Sequence, residues 1–195
     1  MKPILFNTTM VRAILDGRKT VTRRLVKFKA GQNPQWSGYV ADGSALYGSH
    51  NIPAVKSNIA SGDILYVRET WAFDTGDENG EIGTGCFLYR ADDTHNSACK
   101  WHPSIHMPKE AARIFLRVKD VRVERLQDIS DKQAKAEGIV GRFLGMGYDD
   151  PVGAFADLWN KTIKPAELDL FGWYANPWVW VIEFEQISDE EESGL

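Results

Sequence analysis

What most constrains this chain is a series of short, β-branched and apolar runs spread from one end to the other and separated by polar stretches. They are Ile4 to Phe6, Thr20 to Val26, Ile64 to Trp71, Cys86 to Arg90, Ala111 to Leu126 and Trp178 to Phe184. Runs of this kind read as strands, with 111 to 126 either one long strand or a hairpin pair turning at Lys119-Asp120. Helix signals are fewer. Asn7 or Thr8 suits an N-cap, Met10, Val11, Ile14 and Leu15 form the apolar face behind it, and Gly17 supplies the left-handed residue that ends the helix. Ser130-Asp131-Lys132-Gln133 is a capping box with Ile129 and Ala134 as its staple, and Gly138 closes a helix of two turns. Asp149 or Asp150 before Pro151 opens a third helix, on which Phe155, Leu158, Trp159 and Ile163 share one stripe. Strands outnumber helices, so the expected class is α+β: a small, strongly curved sheet or β-barrel flanked by helices.

The polar stretches fix the domain organisation. With 195 residues, 43% hydrophobic and 26% charged, the chain has the composition of one globular domain. We expect a single domain over 1–188 with polar insertions at about 30–60 and 72–110, a further one around 140–150, and an acidic disordered tail over 189–195. Gly145-Met146-Gly147 lacks the strand-turn-helix context of a dinucleotide loop and reads as a connection. The seven tryptophans are many for this length and serve mainly as core. Trp36, Tyr39 and Tyr47 fall in the first insertion, where they either stack on bases or pack the loop onto the body.

The formal net charge of -4 excludes a protein that coats nucleic acid through overall charge. The average conceals a polarity along the chain. Residues 1–30 carry Lys2, Arg12, Arg18, Lys19, Arg23, Arg24, Lys27 and Lys29 against the single acid Asp16, whereas residues 189–192 are all acids. The two cysteines make no disulfide framework, no run is long and apolar enough for a membrane span, and the first residues lack a signal-peptide pattern. A cytoplasmic protein with no membrane partner is the expectation.

The basic cluster is where chemistry is most concentrated. Gly17-Arg18-Lys19-Thr20-Val21-Thr22-Arg23-Arg24 joins a tight turn, bases and hydroxyls, and strand alternation puts Thr22 and Arg24 on one face with Val21, Arg23 and Leu25 on the other. Three readings fit. The segment can bind phosphate through Arg forks and a Lys point charge. It can be nucleophilic, with a Thr hydroxyl activated by a Lys of lowered pKa. It can equally be a solvated basic strand.

The run Leu15-Asp16-Gly17-Arg18-Lys19-Thr20-Val21-Thr22-Arg23-Arg24 resembles the opening motif of the ASCH domain family, which is similar in fold to PUA domains. The likeness continues through Ser61 to Glu69, the strand around Arg117 to Leu126, the short helix Asp131 to Glu137 and the terminal Trp180-Val181-Ile182-Glu183-Phe184, in family order. The chain is similar to the longer, Trp-rich ASCH proteins of phage and prophage genomes. The resemblance implies a PUA-like β-barrel, a cleft beside the basic motif, and an RNA, single-stranded nucleic-acid or modified-nucleoside ligand, with no cofactor. Small ASCH proteins include amidohydrolases acting on acetylated cytidine, and ribonuclease activity is attributed to others. Carried over by motif, the catalytic set is Lys19, Thr22 and Glu137. Thr22 would attack, Lys19 would take its proton and Glu137 would orient them. Arg18, Thr20, Arg23, Arg24, Arg68 and Trp36 would contact ligand.

Two alternatives stand beside an RNA- or nucleoside-binding protein. One is a metal-independent hydrolase of the kind just described. The other is a phage-encoded interaction module whose insertions and acidic tail contact a host protein. A separate cluster, Cys86, His95, Cys99, His102 and His106, has spacing that resembles a zinc site, against a bland reading in which Cys86 sits in a strand and His102 between Trp101 and Pro103. The expectation is no metal.

Overall fold

A computed structural model of the chain describes residues 1–27, 39–40, 45–47, 55–74, 85–92, 100–143 and 149–188. Its first elements are β1 (Lys2–Leu5), α1 (Thr8–Leu15), β2 (Val21–Leu25), β3 (Tyr39–Val40), β4 (Ala45–Tyr47) and β5 (Val55–Lys56). They are followed by β6 (Ile64–Arg68), β7 (Trp71–Phe73), β8 (Phe87–Tyr89), β9 (Phe115–Arg125) and α2 (Asp131–Ala136). The chain continues through β10 (Arg142–Phe143), β11 (Asp149–Asp150), α3 (Pro151–Thr162), α4 (Leu168–Phe171) and β12 (Trp178–Gln186). The fold is mixed α+β, with a five-stranded sheet in the order β1-β6-β9-β12-β2. Among the described residues that sheet is open, ending at β1 and β2, so the strands described do not close into a barrel. The run from 111 to 126 is one strand of 11 residues, with the exposed Lys119 and Asp120 lying within it rather than at a turn.

Two compact units divide the chain. One comprises Met1–Gly17, Asp63–Arg117 and Gln186–Leu195, the other Arg18–Gly62 and Val118–Glu185. In the first unit β1 runs parallel to β6, with Lys2 opposite Leu65, and β6 runs antiparallel to the start of β9, with Leu65 opposite Leu116. Helix α1 forms where its sequence signals lie. The Asn7 side chain accepts from the Met10 N–H at 2.9 Å, and Gly17 leaves the helix at φ 69. Val11, Ala13 and Ile14 on its apolar face are buried, as are Leu65, Val67 and Leu116. Strands β7 and β8 pair antiparallel, with Trp71 opposite Tyr89. Cys86 lies exposed just before β8, outside the strand expected to contain it.

In the second unit β12 pairs antiparallel with β2, from Val179 opposite Leu25 to Glu183 opposite Val21. Val21, Val179 and Val181 share one face of this pair and bury Leu126, Ile129, Ala134, Phe155 and Trp159 against it. Each large side chain so placed contributes roughly 1.5–3 kcal/mol over exposure. The capping box on α2 is formed, with the Ser130 side chain accepting from the Gln133 N–H at 3.3 Å and the Gln133 side chain accepting from the Ser130 N–H at 2.9 Å. Asp150 caps α3 by accepting from the Gly153 N–H at 2.8 Å. Strands β3, β4 and β5 form a small antiparallel sheet of this unit, so part of the first expected insertion is ordered. Residues 165–175, which carried no sequence signal, fold into α4 between two 3-10 turns and end at Asn176 with φ 46. No helix among the described residues is long and apolar enough to cross a membrane.

Candidate ligand-binding site on strand β2

The site is built from the strand pattern upward. Alternation places Arg23 on the same face as Val21 and Leu25, facing the apolar layer of the second unit, and a cation there must find partners. It does. Arg23 Nη1 donates to Glu137 Oε1 at 3.2 Å and Nη2 donates to Glu124 Oε2 at 3.3 Å, with the side chain fully enclosed at 0% exposure. Its guanidinium carbon lies 5.9 Å from the centre of the Phe155 ring, and its Nε is buried with no hydrogen-bond partner.

Glu137 is the hub. It is the C-cap of α2, and Gly138 at φ 82 turns the chain away immediately after it. Its backbone forms an isolated antiparallel bridge with Lys19. The Thr20 N–H donates to the Ala136 carbonyl at 2.8 Å and fixes the same approach. The carboxylate is 5% exposed, and Lys19 at 3% donates from Nζ to Glu137 Oε2 at 2.8 Å. The same ammonium donates to the Glu137 carbonyl at 2.9 Å and the Val21 carbonyl at 2.7 Å. Two cations therefore converge on one buried carboxylate. Burial lowers the Lys19 pKa, Glu137 opposes that shift, and the Arg24 and Arg23 charges add to it.

A chain of alternating charge leads outward from this hub. Glu124 also accepts from Arg122, and Arg122 is held in turn by Asp120 and Glu183. Arg122 keeps its proton the more firmly: burial works against it, but its hydrogen bonds to three carboxylates more than offset that.

The expected site residues fall into three groups. Lys19, Arg23 and Glu137 are brought into direct contact. Arg18 and Arg24 have exposed surface, with Arg18 donating to the Gly138 carbonyl at 3.3 Å, while the packing around the Arg24 guanidinium lowers its pKa and the charge of Glu137 only partly offsets that. Thr20 has an exposed side chain and a backbone paired on both sides, to Ala136 and Phe184. Thr22 is buried at 4%, opposite Ile182 and on the strand face away from Arg23, and no described hydrogen bond joins it to Lys19 or Glu137. Arg68 belongs to the first unit, where both Nε and Nη2 donate to the Met107 carbonyl at 2.8 and 2.6 Å. Trp36, the acidic tail, Gly145-Met146-Gly147, His95 and Cys99 lie outside the described residues. His102 stacks on Trp71 at 5.0 Å, and no group of three or more potential metal ligands occurs among the described residues.

Sequence reasoning missed Glu124 and Arg122, and it missed a second charged cluster in the first unit. There Glu69, 1% exposed, accepts from Arg113 Nε at 3.0 Å and Nη2 at 3.3 Å, while Asp92 binds the other edge of the same guanidinium at 2.8 and 2.9 Å. Arg113 also lies 3.9 Å over the Tyr89 ring. Burial raises the Glu69 pKa, and Arg113 only partly offsets it. The available signal for Arg23 was its place on an apolar strand face. Glu69 carried a similar signal, its alternation with Leu65 and Val67 along the expected strand Ile64 to Trp71.

Chemically, the Lys19 ammonium directs its donors to three acceptors. These acceptors stabilise the ammonium against the burial that lowers its pKa. What separates the arrangement from proton abstraction is the place of Thr22, which no described hydrogen bond joins to Lys19.

No known family profile matches the chain, and no curated protein matches it. The chain is similar to the crystal structure of protein EF3133 from Enterococcus faecalis V583, of the family DUF984, at 12% identity and a TM-score of 0.43, over 96% of this chain and 81% of that one.

Proposed function

We propose that the second unit binds RNA, single-stranded nucleic acid or a modified nucleoside through strand β2, with Arg18 and Arg24 meeting phosphate and the buried Lys19, Arg23 and Glu137 holding the strand in place behind them. The observation that carries this reading is the pair of exposed arginines, each next in sequence to a buried cation pinned on the carboxylate of Glu137. Arginines on a backbone pinned in this way meet an anion at a smaller ordering cost than those on a mobile segment. With this reading go the ASCH resemblance, its PUA-like barrel and a cytoplasmic setting. Binding without turnover is favoured over hydrolysis by the place of Thr22, on the strand face away from Arg23 and with no described hydrogen bond to Lys19, while the acidic tail and much of the insertions on which the host-protein alternative rests lie outside the described residues.

Fluorescence titration with labelled RNA, single-stranded DNA and nucleotides at low salt tests the proposal. Binding should weaken as salt rises, with a log–log slope of about −0.7 per phosphate contact for a single strand. Arg24→Ala should weaken it and reduce that slope by roughly one contact. No binding to any of these ligands, or binding indifferent to salt and to Arg24→Ala, overturns it. Incubation with acetylated cytidine and with labelled RNA tests the hydrolytic alternative, which turnover dependent on Thr22 and Lys19 would revive.

A further inference from the structure

The second unit also carries a cleft of about 440 Å³ that lies outside the charged site, lined by Asn160, Leu168, Asp169, Gly172, Trp173, Tyr174 and Ala175. Its size falls within the range of small-molecule sites, roughly 300–1,000 Å³. Two features give it a definite chemistry. The first is the Asn160 amide. Its Oδ1 accepts from the Trp173 backbone N–H at 2.8 Å, and because only the oxygen can accept, the orientation of the amide is fixed. The Nδ2 group of a lining residue is left as the donor, with the exposed Asp169 carboxylate supplying an acceptor on the same wall.

The second feature is aromatic. Tyr174 is 91% exposed, an unusual degree for a tyrosine, and it is held out by the 3-10 turn that ends at Asn176 in the left-handed conformation. Trp173 lines the same cleft and packs edge-on against Phe155 at 6.2 Å, so its ring is braced from behind. Gly172 lets the chain pack closely there, since a Cβ would stand 2.6 Å from the Leu168 carbonyl oxygen and 3.3 Å from Asn160 Oδ1. Two aromatic residues, a fixed amide and a carboxylate on the lining of one cleft are the components of a stacking site with an edge-reading element.

We infer that this cleft binds a planar heterocycle of the nucleobase class, stacked on Tyr174 and Trp173 and read along one edge by Asn160 Nδ2 and Asp169. A nucleobase presents N–H donors to the carboxylate and a carbonyl or ring nitrogen to the amide, whereas a plain apolar ring satisfies neither. The inference does not depend on phosphate binding at β2. An uncharged nucleoside should occupy the cleft whether or not Arg18 and Arg24 bind phosphate.

Quenching of tryptophan fluorescence on titration with adenosine, guanosine, cytidine and uridine is the test, with ribose 5-phosphate and indole as controls. At least one nucleoside should bind with an affinity insensitive to salt. Tyr174→Ala, a change at an exposed ring that leaves the core untouched, should weaken it about tenfold, the loss of one stacking contact. Asp169→Ala should change the order of preference among the four nucleosides. Binding of indole as tight as that of every nucleoside, affinity unchanged in both variants, or no nucleoside binding in the intact protein overturns the inference. Nucleoside binding that survives Arg24→Ala while salt-dependent RNA binding is lost would separate this cleft from the β2 site.

Discussion

The two units each hold a buried charged cluster, and the residues at their hubs are opposite in sign. In the first unit one guanidinium, Arg113, holds two carboxylates, Glu69 and Asp92. In the second unit one carboxylate, Glu137, holds two cations, Lys19 and Arg23. The difference extends to burial. Arg113 is 27% exposed and Asp92 33%, whereas Lys19, Arg23 and Glu137 have side-chain exposures of 2%, 0% and 6%. The outer members of the first cluster, Arg113 and Asp92, can relax into water, although Glu69 at 1% is as enclosed as any member of the second. The cluster around Glu137 is therefore the more completely enclosed of the two.

The sharpest way to break the comparison is to remove the hub from each cluster. Glu137→Gln leaves the buried Lys19 with no carboxylate partner and Arg23 with Glu124 alone, and should cost about 3–5 kcal/mol of stability. Arg113→Met should cost less, about 1–3 kcal/mol, because its guanidinium is partly hydrated and Glu69 can be protonated. Urea unfolding of both variants at neutral pH measures the two losses. Equal losses would mean that burial does not distinguish the clusters.

A smaller effect separates them by pH. Glu69 titrates above its ordinary 4.5, so between 4.5 and its raised value the folded protein binds more protons than the unfolded chain, and stability from this group falls as pH rises. Lys19 titrates below its ordinary 10.5, so between its lowered value and 10.5 the unfolded chain binds more protons, and stability from this group rises with pH. Unfolding midpoints followed across both windows should show Glu69→Gln removing the acid-side slope and leaving the alkaline one. Loss of both slopes in that variant would mean the clusters are not independent.

The smallest expected effect concerns how Glu137 is held. Ser130→Ala removes one half of the capping box on α2 and should cost about 1 kcal/mol. It should loosen the hub without touching a charged residue, and hydrogen exchange at the Glu137 and Thr20 amides would report it. Unchanged exchange there would show that the Lys19 bridge, not the helix cap, positions the carboxylate.

Where the sequence was legible, local chemistry decided the structure. Asn7, Gly17, Ser130, Gly138 and Asp150 mark helix ends because each must satisfy or terminate nearby backbone groups, and all five do so where expected. Strand alternation put Arg23 on the face of Val21 and Leu25, but Arg23 was expected to contact ligand, and its burial against Glu137 and Glu124 was not read from it. Non-local features were not legible. The parallel pairing of β1 with β6, the meeting of Glu69 with Arg113 and the cleft at α4 depend on which distant segments pack together, and no local pattern encodes that. The Lys19 and Glu137 contact came from the ASCH resemblance, whereas the place of Thr22 on the far strand face follows from alternation alone.

The Lys19 to Glu137 contact joins positions 118 residues apart, and its consequence is one of timing. During synthesis the basic strand leaves the ribosome long before its carboxylate exists. Until α2 emerges, Lys19 and Arg23 stay hydrated, and β2 has neither the Lys19 bridge to Glu137 nor its pairing with β12. A chain truncated before residue 137 would keep every base of the motif and still lack the site, since a nascent protein cannot bury those charges ahead of the acid that neutralises them.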